Sequence, residues 1–470
     1  MKMEPDTTVA RPSASAAGSP VNDGAGGDWT TSPIVVELLA RLGDGSPRFV
    51  ARAPGRLDLM GGLAEYTGSL VLNMTIADHV CVGVQRRSDG ELTITCARSL
   101  RWDGSTPTVI AMSHLHGPQG APIDAVEGRQ LVEDAAADGV PCVLGTLVEM
   151  FRAGLIPRFD DGLSIMVAST LGELADVGRD AALAAATMTA VAGECDATLD
   201  PLQAATICQR VENDWLQRPV GVGDAVCVLL GEPHTLAEVR CEPCTIAGSI
   251  RVPDELAVIG IDCGAIHPDA KLKFERVRTA AFMGRDLIDR IIRHGGVGRL
   301  KWDGYLSQIS VTDYVERFRD RLPTKFKGSE YLARFGETGD PLTRIDPDFV
   351  YKIRSRTEHH IYEHARACQF VECLSRAIRN EDDRALSKTG ELMYASHWSY
   401  GQRCGLGSVE TDLLVNLIRG HGVDAGIYGA KATARGCGGV VAVLMRADDR
   451  AMAAVNAAVD KYQSKTGHKT

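Results

Sequence analysis

Apolar positions in the first third of the chain come in strand-length pieces. Phe49 to Arg52, Ser69 to Ile76, Val80 to Gln85, Leu92 to Cys96 and Thr108 to Met112 each alternate or run apolar, which predicts a mostly β start. The period then changes. Val126, Leu131, Val132, Val143, Leu144, Leu147, Val148 and Phe151 recur at spacings of three and four within Ala125 to Ala153, the signature of helix with one buried face. Arg179 to Gly193 and Leu202 to Leu216 read as further helices. Beyond about residue 250 the pattern restarts with a strand at Leu256 to Ile261 and helices at Arg285 to Arg293 and Thr312 to Arg321. It closes with a strand at Val440 to Met445 and a helix at Asp448 to Tyr462, where Met452, Val455, Val459 and Tyr462 share a face. The expectation is an α+β protein with domains at 29–250 and 251–470, preceded by a tail. Residues 1–28, rich in Ala, Ser, Gly, Pro, Asp and Thr, hold too little apolar surface to order themselves and predict disorder.

Composition narrows the partners. A chain of 470 residues is long enough for two or three domains with substantial cores. Its formal charge of -10 disfavours nonspecific attraction to nucleic acid or an anionic membrane, since both reward basic surfaces. Small metabolites fit better. No apolar run approaches the roughly 20 residues of a spanning helix, and the opening MKMEPDTTVA lacks a signal-peptide core, so a cytoplasmic protein is expected. The 13 cysteines are scattered and odd in number, which reads as small buried apolar residues rather than an oxidised framework. Cys241 and Cys244 form a Cys-x-x-Cys pair compatible with zinc or redox work, with no second pair at ligand spacing.

Two glycine-rich turns lie far apart: ARAPGRLDLMGGLAEY (Ala51 to Tyr66) and GAKATARGCGG (Gly429 to Gly439), the second leading into Val440 to Met445. Together with VENDWLQRPVGVGDAV (Val211 to Val226), GDPLTRIDPDFVYKIRSRTEHHIYE (Gly339 to Glu363) and GELMYASHWSYGQRCGLGSVETDLLVNLIR (Gly390 to Arg419), they resemble the GHMP family of small-molecule kinases, in its galactokinase and L-arabinokinase branch. The resemblance covers nearly everything after about Pro47 and implies the GHMP kinase fold: two α/β lobes with the active site in the cleft between them. It implies an ATP-dependent, magnesium-requiring sugar kinase working on small molecules, as a monomer or homodimer.

Such chemistry needs backbone amides for the triphosphate, an oxygen ligand for magnesium and a group to align the acceptor hydroxyl. The resemblance places the base at Asp224, since Gly221-Val222-Gly223-Asp224 lines up with the family's G-[VI]-M-D-Q, although glutamine and methionine there have become Ala225 and Gly223. Arg56, in APGR, matches the arginine that supports charge on the transferring group. The family's phosphate loop, P-x-G-x-G-[LV]-S-S-S-A-A, aligns with Gly172 to Ala182, where Gly178, Arg179 and Asp180 replace the serines and Ala181 follows. Asp180 falls on the magnesium-ligating serine and Glu212 on the second ligand, so two carboxylates remain for a hard cation. The same change adds negative charge beside a triphosphate, joined by Glu173 and Asp176, and that argues for weakened nucleotide binding. In the last motif Ala434 and Arg435 stand where the family has glycines, before Gly438 of the acceptor site.

Sugar choice reads from the first motif. Galactokinases carry G-E-H-T-D-Y; Gly62 and Leu63 stand at the Glu-His pair that reads the hydroxymethyl end of galactose, which leans toward the pentose L-arabinose. Glu65 takes the place of a sugar-binding aspartate. Two other features invite competing explanations. His360-Ile361-Tyr362-Glu363-His364 matches the zinc-peptidase pattern H-x-x-E-H, but lies inside the arabinokinase-like segment and reads as helix. Trp398 and Tyr400 read as core aromatics. Two functions are consistent with all this: transfer of the γ-phosphoryl of ATP to the anomeric hydroxyl of L-arabinose or a galactose-like sugar, or a non-catalytic relative that binds a metabolite as a sensor.

Overall fold

The computed structural model describes residues 8–10, 29–42, 48–97, 102, 105–117, 119–133, 139–172, 176–295, 300–434 and 438–470. The chain forms two units, one of residues 1–56, 74–173 and 177–233, the other of 57–73, 174–176 and 234–470. They part between Pro233 and His234, not at 250, and Leu57–Asn73 belongs with the later sequence.

Strands of the first unit follow the order β1 (Thr8–Ala10), β2 (Arg48–Met60), β3 (Leu70–Arg86), β6 (Leu163–Ser169), β4 (Glu91–Cys96) and β5 (Thr108–Ala111). β1 pairs with β2, β3 with β6 and β4 with β5 antiparallel, whereas β4 and β6 run parallel. Of the expected tail, Thr8–Ala10 is the part described, as an edge strand opposite Val50–Arg52; β-branched Thr8 and Val9 suit that role, a correction to disorder there. β2 and β3 continue into the second unit. The two apolar runs at Ser69 to Ile76 and Val80 to Gln85 are one strand, whose exposed middle around Ala77–Asp78 interrupts the alternation without breaking the backbone.

Helices of this unit are α1 (Pro33–Leu42), α2 (Ala125–Leu131), α3 (Val140–Arg152), α4 (Arg179–Glu194), α5 (Pro201–Arg210) and α6 (Gly223–Leu230). The helical periodicity over Ala125 to Ala153 is carried by two helices, α2 and α3. Twelve consecutive residues of α4, Ala181 to Ala192, are buried, which explains its weak apolar stripe: it is a core helix, apolar all round.

The second unit carries the hairpin β7 (Thr235–Cys241) and β8 (Cys244–Arg251), strand β9 (Leu256–Ile266), helix α7 (Ala270–Arg293) and the short turn α8 (Val311–Asp313). The two-residue strands β10 (Phe326–Lys327) and β11 (Val350–Tyr351) flank α9 (Gly328–Phe335). Then come α10 (Ile353–Asn380), α11 (Asp383–Ser399), α12 (Val409–Arg419), β12 (Ile427–Ala432), β13 (Gly438–Arg446) and α13 (Asp449–Thr466). β12, β13 and β9 form an antiparallel sheet. Val441, Val443 and Met445 of β13 pack with Leu414 and Ile418 of α12 and with Ala451, Val455 and Tyr462 of α13. Of the face predicted for the last helix, Val455 and Tyr462 are buried, whereas Met452 is 40% exposed, a correction to its placement on that face. The helix expected at Thr312 to Arg321 is instead a series of short, differently wound turns. Among the described residues no helix is long and apolar enough to cross a membrane.

Candidate functional site

In the first unit, Arg56 and Asp224 meet. Arg56 Nε donates to Asp224 Oδ1 at 2.6 Å and Nη2 donates to Oδ2, a two-pronged pair of the kind guanidinium geometry favours. Arg56 is sealed at 2% exposure while the Asp224 side chain keeps 15%, so the carboxylate is the member a ligand can reach. The backbone of Arg56 is tied in turn, its N–H donating to Val177 O at 2.8 Å.

Val177 leads straight into the turn that starts α4. Gly178 adopts φ 74°, a left-handed conformation natural to glycine, and a β-carbon there would stand 3.0 Å from Arg56 Cγ. With no side chain at its N-cap, α4 presents first-turn amides of Arg179, Asp180 and Ala181, with the positive end of the helix dipole behind them. Asp180 sits in that turn, and its Oδ2 accepts from Arg218 Nη1. Arg218 also donates its backbone N–H to the main-chain oxygen of Glu212 at 2.9 Å, so one residue holds the Asp180 carboxylate and the backbone of Glu212. Glu212 is buried in a π-type turn, Val211–Trp215. Glu212 and Asp180 border the same thiol: Cys142 Sγ lies 3.6 Å from Asp180 O, and burial, with Glu212 next in importance, pushes that thiol far up.

Trp215 holds the π-type turn in place. Its indole N–H donates to buried Glu149 Oε1 at 3.2 Å, and Glu149 also receives Arg210 Nη1 at 3.0 Å. The ring packs where Gly145 and Gly128 leave room; β-carbons there would stand 2.6 and 2.1 Å from ring atoms. Asn213 Oδ1 accepts from Val220 N at 2.9 Å, fixing the loop that delivers Asp224 to α6.

Sequence reading missed Arg218, Trp215 and Glu149. Arg218 had a signal: a charge three residues before Gly221, inside the family-like segment but given no role there. As to magnesium, Asp180 and Glu212 are carboxylates, donors of the class a hard cation takes. Among the described residues no group of three or more His, Cys, Asp or Glu gathers for a metal, and Asp180 is engaged by a cation of the chain's own. Of the phosphate loop, 173–175 lie outside the described residues, as do Arg435 to Cys437 of the last motif.

The other named residues fall in the second unit. Gly62 N–H donates to Asp58 Oδ1 at 3.2 Å, and a β-carbon on Gly62 would come 2.6 Å from Asp58 Oδ2, so glycine is needed for fit. Asp58 also accepts from Lys431 Nζ and from Ala434 N, both at 3.1 Å, and Lys431 is fully buried. This buried pair, which satisfies the requirement that interior charges be matched, was not seen in the sequence. Its trace is a lysine inside the otherwise small and apolar strand IYGAKA. Glu65 is buried in the turn Gly62–Thr67, with Cys241 Sγ 4.0 Å from its Oε2. Gly438 opens β13 opposite Ile266.

The histidine motif on α10 is structural. His360 Nδ1 contacts Arg356 O at 2.8 Å and Nε2 contacts Tyr66 OH at 2.9 Å, while His364 Nδ1 accepts from Leu70 N at 3.1 Å. Burial pushes His360 down to about 4, and burial with Arg240 does the same to His364. Glu363 accepts from Gly61 N and Arg366; burial would raise it, but Arg366, His359 and Lys431 bring it down to about 2. Tyr400 is core, its hydroxyl bonded to Leu63 N and Ala434 O, whereas Trp398 is 56% exposed beneath the Arg403 guanidinium, a correction to its predicted burial.

Comparisons with known proteins fit this architecture. The fold is shared with galactokinase from Lactococcus lactis solved with galactose (TM-score 0.65, 18% identity, 92% of this chain and 94% of that one). Mevalonate kinase from Methanococcus jannaschii is also similar (TM-score 0.54, 13% identity, 88% and 94%). Residues 40–86 match the model of the galactokinase galactose-binding signature. The chain is 32% identical to the L-arabinokinase of Arabidopsis thaliana over 89% of its own length, and spans 45% of that relative. It is 25% identical to a galactokinase of Mycobacterium bovis, over 84% of this chain and 88% of the relative. Together these likenesses support the GHMP kinase family, in its arabinokinase and galactokinase branch.

Proposed function

We propose that the chain is a sugar 1-kinase that transfers the γ-phosphoryl group of ATP to the anomeric hydroxyl of L-arabinose or a galactose-like sugar. The observation that carries this reading is the Arg56–Asp224 pair, with its half-open carboxylate, beside the uncapped start of α4. Asp224 accepts the hydroxyl proton while Arg56 fixes the plane of its carboxylate and offsets the charge that develops. First-turn amides of α4 receive phosphate oxygens, as helix starts do. Asp180 and Glu212 are the residues to hold magnesium, which neutralises the triphosphate when bound. The arabinokinase and galactokinase relatives support the substrate class, and Leu63 beside Gly62 supports the pentose, although an apolar lining discriminates by only about 1–3 kcal/mol.

Isothermal titration with magnesium ATP, followed by a coupled ADP-release assay on L-arabinose, galactose and other aldoses, tests the proposal. Binding and turnover with L-arabinose above galactose are expected. Absence of ATP binding at millimolar nucleotide would overturn it and favour the metabolite sensor.

A further inference from the structure

The β7–β8 hairpin brings Cys241 and Cys244 directly opposite one another across a two-residue turn, Glu242-Pro243. Opposed residues in antiparallel strands hold their Cα atoms about 4.5–5.5 Å apart, inside the range of about 4.4–6.8 Å that a disulfide spans. Both are thiols here, one buried and one exposed. The buried one, Cys241, is 3% exposed and its Sγ lies 4.0 Å from Oε2 of Glu65, itself 8% exposed in the turn that the galactose-binding signature covers. An exposed thiol is therefore paired with a buried thiol on the same hairpin face, and the buried one touches a carboxylate at the candidate sugar turn within the second unit.

We propose that Cys241 and Cys244 are a reversible disulfide site that controls the Glu65 carboxylate, and through it sugar binding; the second half rests on the sugar-kinase reading, the first does not. The oxidant is a small disulfide such as oxidised glutathione. The Cys244 thiolate attacks one of its sulfurs and expels the first small thiol; Cys241 Sγ, having lost its proton, attacks Cys244 Sγ of the mixed disulfide and expels the second. The two protein thiols give up two protons and two electrons, and the oxidant becomes two thiols. Closing the bond removes the Cys241 S–H that faces Glu65 and draws Sγ toward the hairpin end. Burial and the neighbouring Glu242 raise the Cys244 thiol, so the exchange runs best in mildly alkaline buffer.

Trypsin isolates the site cleanly, because Arg240 and Arg251 bracket a peptide, CEPCTIAGSIR, that holds both cysteines. The purified full chain is incubated with oxidised glutathione, alkylated, digested and weighed. The expected peptide has lost two hydrogens and takes up no alkylating agent until dithiothreitol is added. A peptide that stays reduced, or that stops at the glutathione adduct, overturns the site. Binding of L-arabinose and galactose is then titrated on oxidised and reduced protein. A several-fold loss of affinity on oxidation, reversed by dithiothreitol and absent in Cys244→Ser, is expected. Unchanged affinity in protein whose disulfide has been verified overturns the link to Glu65. Failure of the kinase reading leaves the mass measurement untouched.

Discussion

A carboxylate held on both oxygens by one guanidinium cannot rotate, and each oxygen keeps a lone pair for an incoming hydroxyl. Asp224→Asn keeps the shape but replaces one acceptor with a donor facing Arg56. Turnover should fall about 10²- to 10⁴-fold while circular dichroism and ATP binding persist; retained turnover would remove Asp224 from catalysis. Arg218 answers a different question. As it occupies the Asp180 carboxylate, it competes with any divalent cation there, so Arg218→Ala should lower the free magnesium needed for half-maximal rate several-fold. An unchanged magnesium curve would separate Asp180 from the metal. At this scale the sequence was legible where a motif marks a residue in a few adjacent letters, as with APGR and GVGD, whose Arg56 and Asp224 pair. Asp58 with Lys431 and Glu149 with Trp215 were not, because the partners lie far apart in sequence and, apart from the lone lysine of IYGAKA, nothing local marks them as paired.

Elements were predictable where burial is one-sided. Val455 and Tyr462 of α13 were legible in the periodicity because the helix has a wet side, whereas Met452, assigned to the same face, lies on the wet side. β2 defeated the same reasoning: Pro54-Gly55 looks like a turn, yet the strand passes through it, buried on both faces from Ala53 to Met60. α10 hides His359, His360 and Glu363 in its interior-facing positions, so a polar spelling conceals a core helix. The π-type turn Val211–Trp215 is read as ordinary helix in sequence because an extra residue in a turn leaves no compositional mark. Its anchorage can be tested through Gly145, whose β-carbon would strike the Trp215 ring. Gly145→Ala should cost about 1–3 kcal/mol of stability in urea denaturation and reduce turnover by displacing Glu212. A neutral substitution would show that the ring is free to move.

For the molecule as a whole, acid is the informative stress. His360 titrates at about 4 when folded, below its ordinary 6.5, so the unfolded chain binds the proton first as pH falls. His364 behaves alike. Their contribution is complete above pH 6.5 and is lost as pH drops toward 4. Glu363, at about 2 against an ordinary 4.5, adds stability above 4.5 that is lost as pH falls from 4.5 toward 2. Melting temperature should therefore decline from pH 6.5 downward in two overlapping stages, and His360→Gln should flatten the first. A flat profile between pH 6.5 and 4 would contradict the buried neutral imidazoles.

The second unit recruits Leu57–Asn73 from early in the chain, and this has a bearing on biosynthesis. A ribosome delivers that stretch long before the helix that binds Gly61 and the strand whose lysine neutralises Asp58. Until then an unmatched acid and the apolar side chains of Leu57, Leu59, Leu63 and Leu70 remain uncovered on the nascent polypeptide, a natural client for a holdase. No single cut in the gene can yield both units intact: residues 234–470 expressed alone should come out insoluble, and co-expression with 1–233 should rescue them.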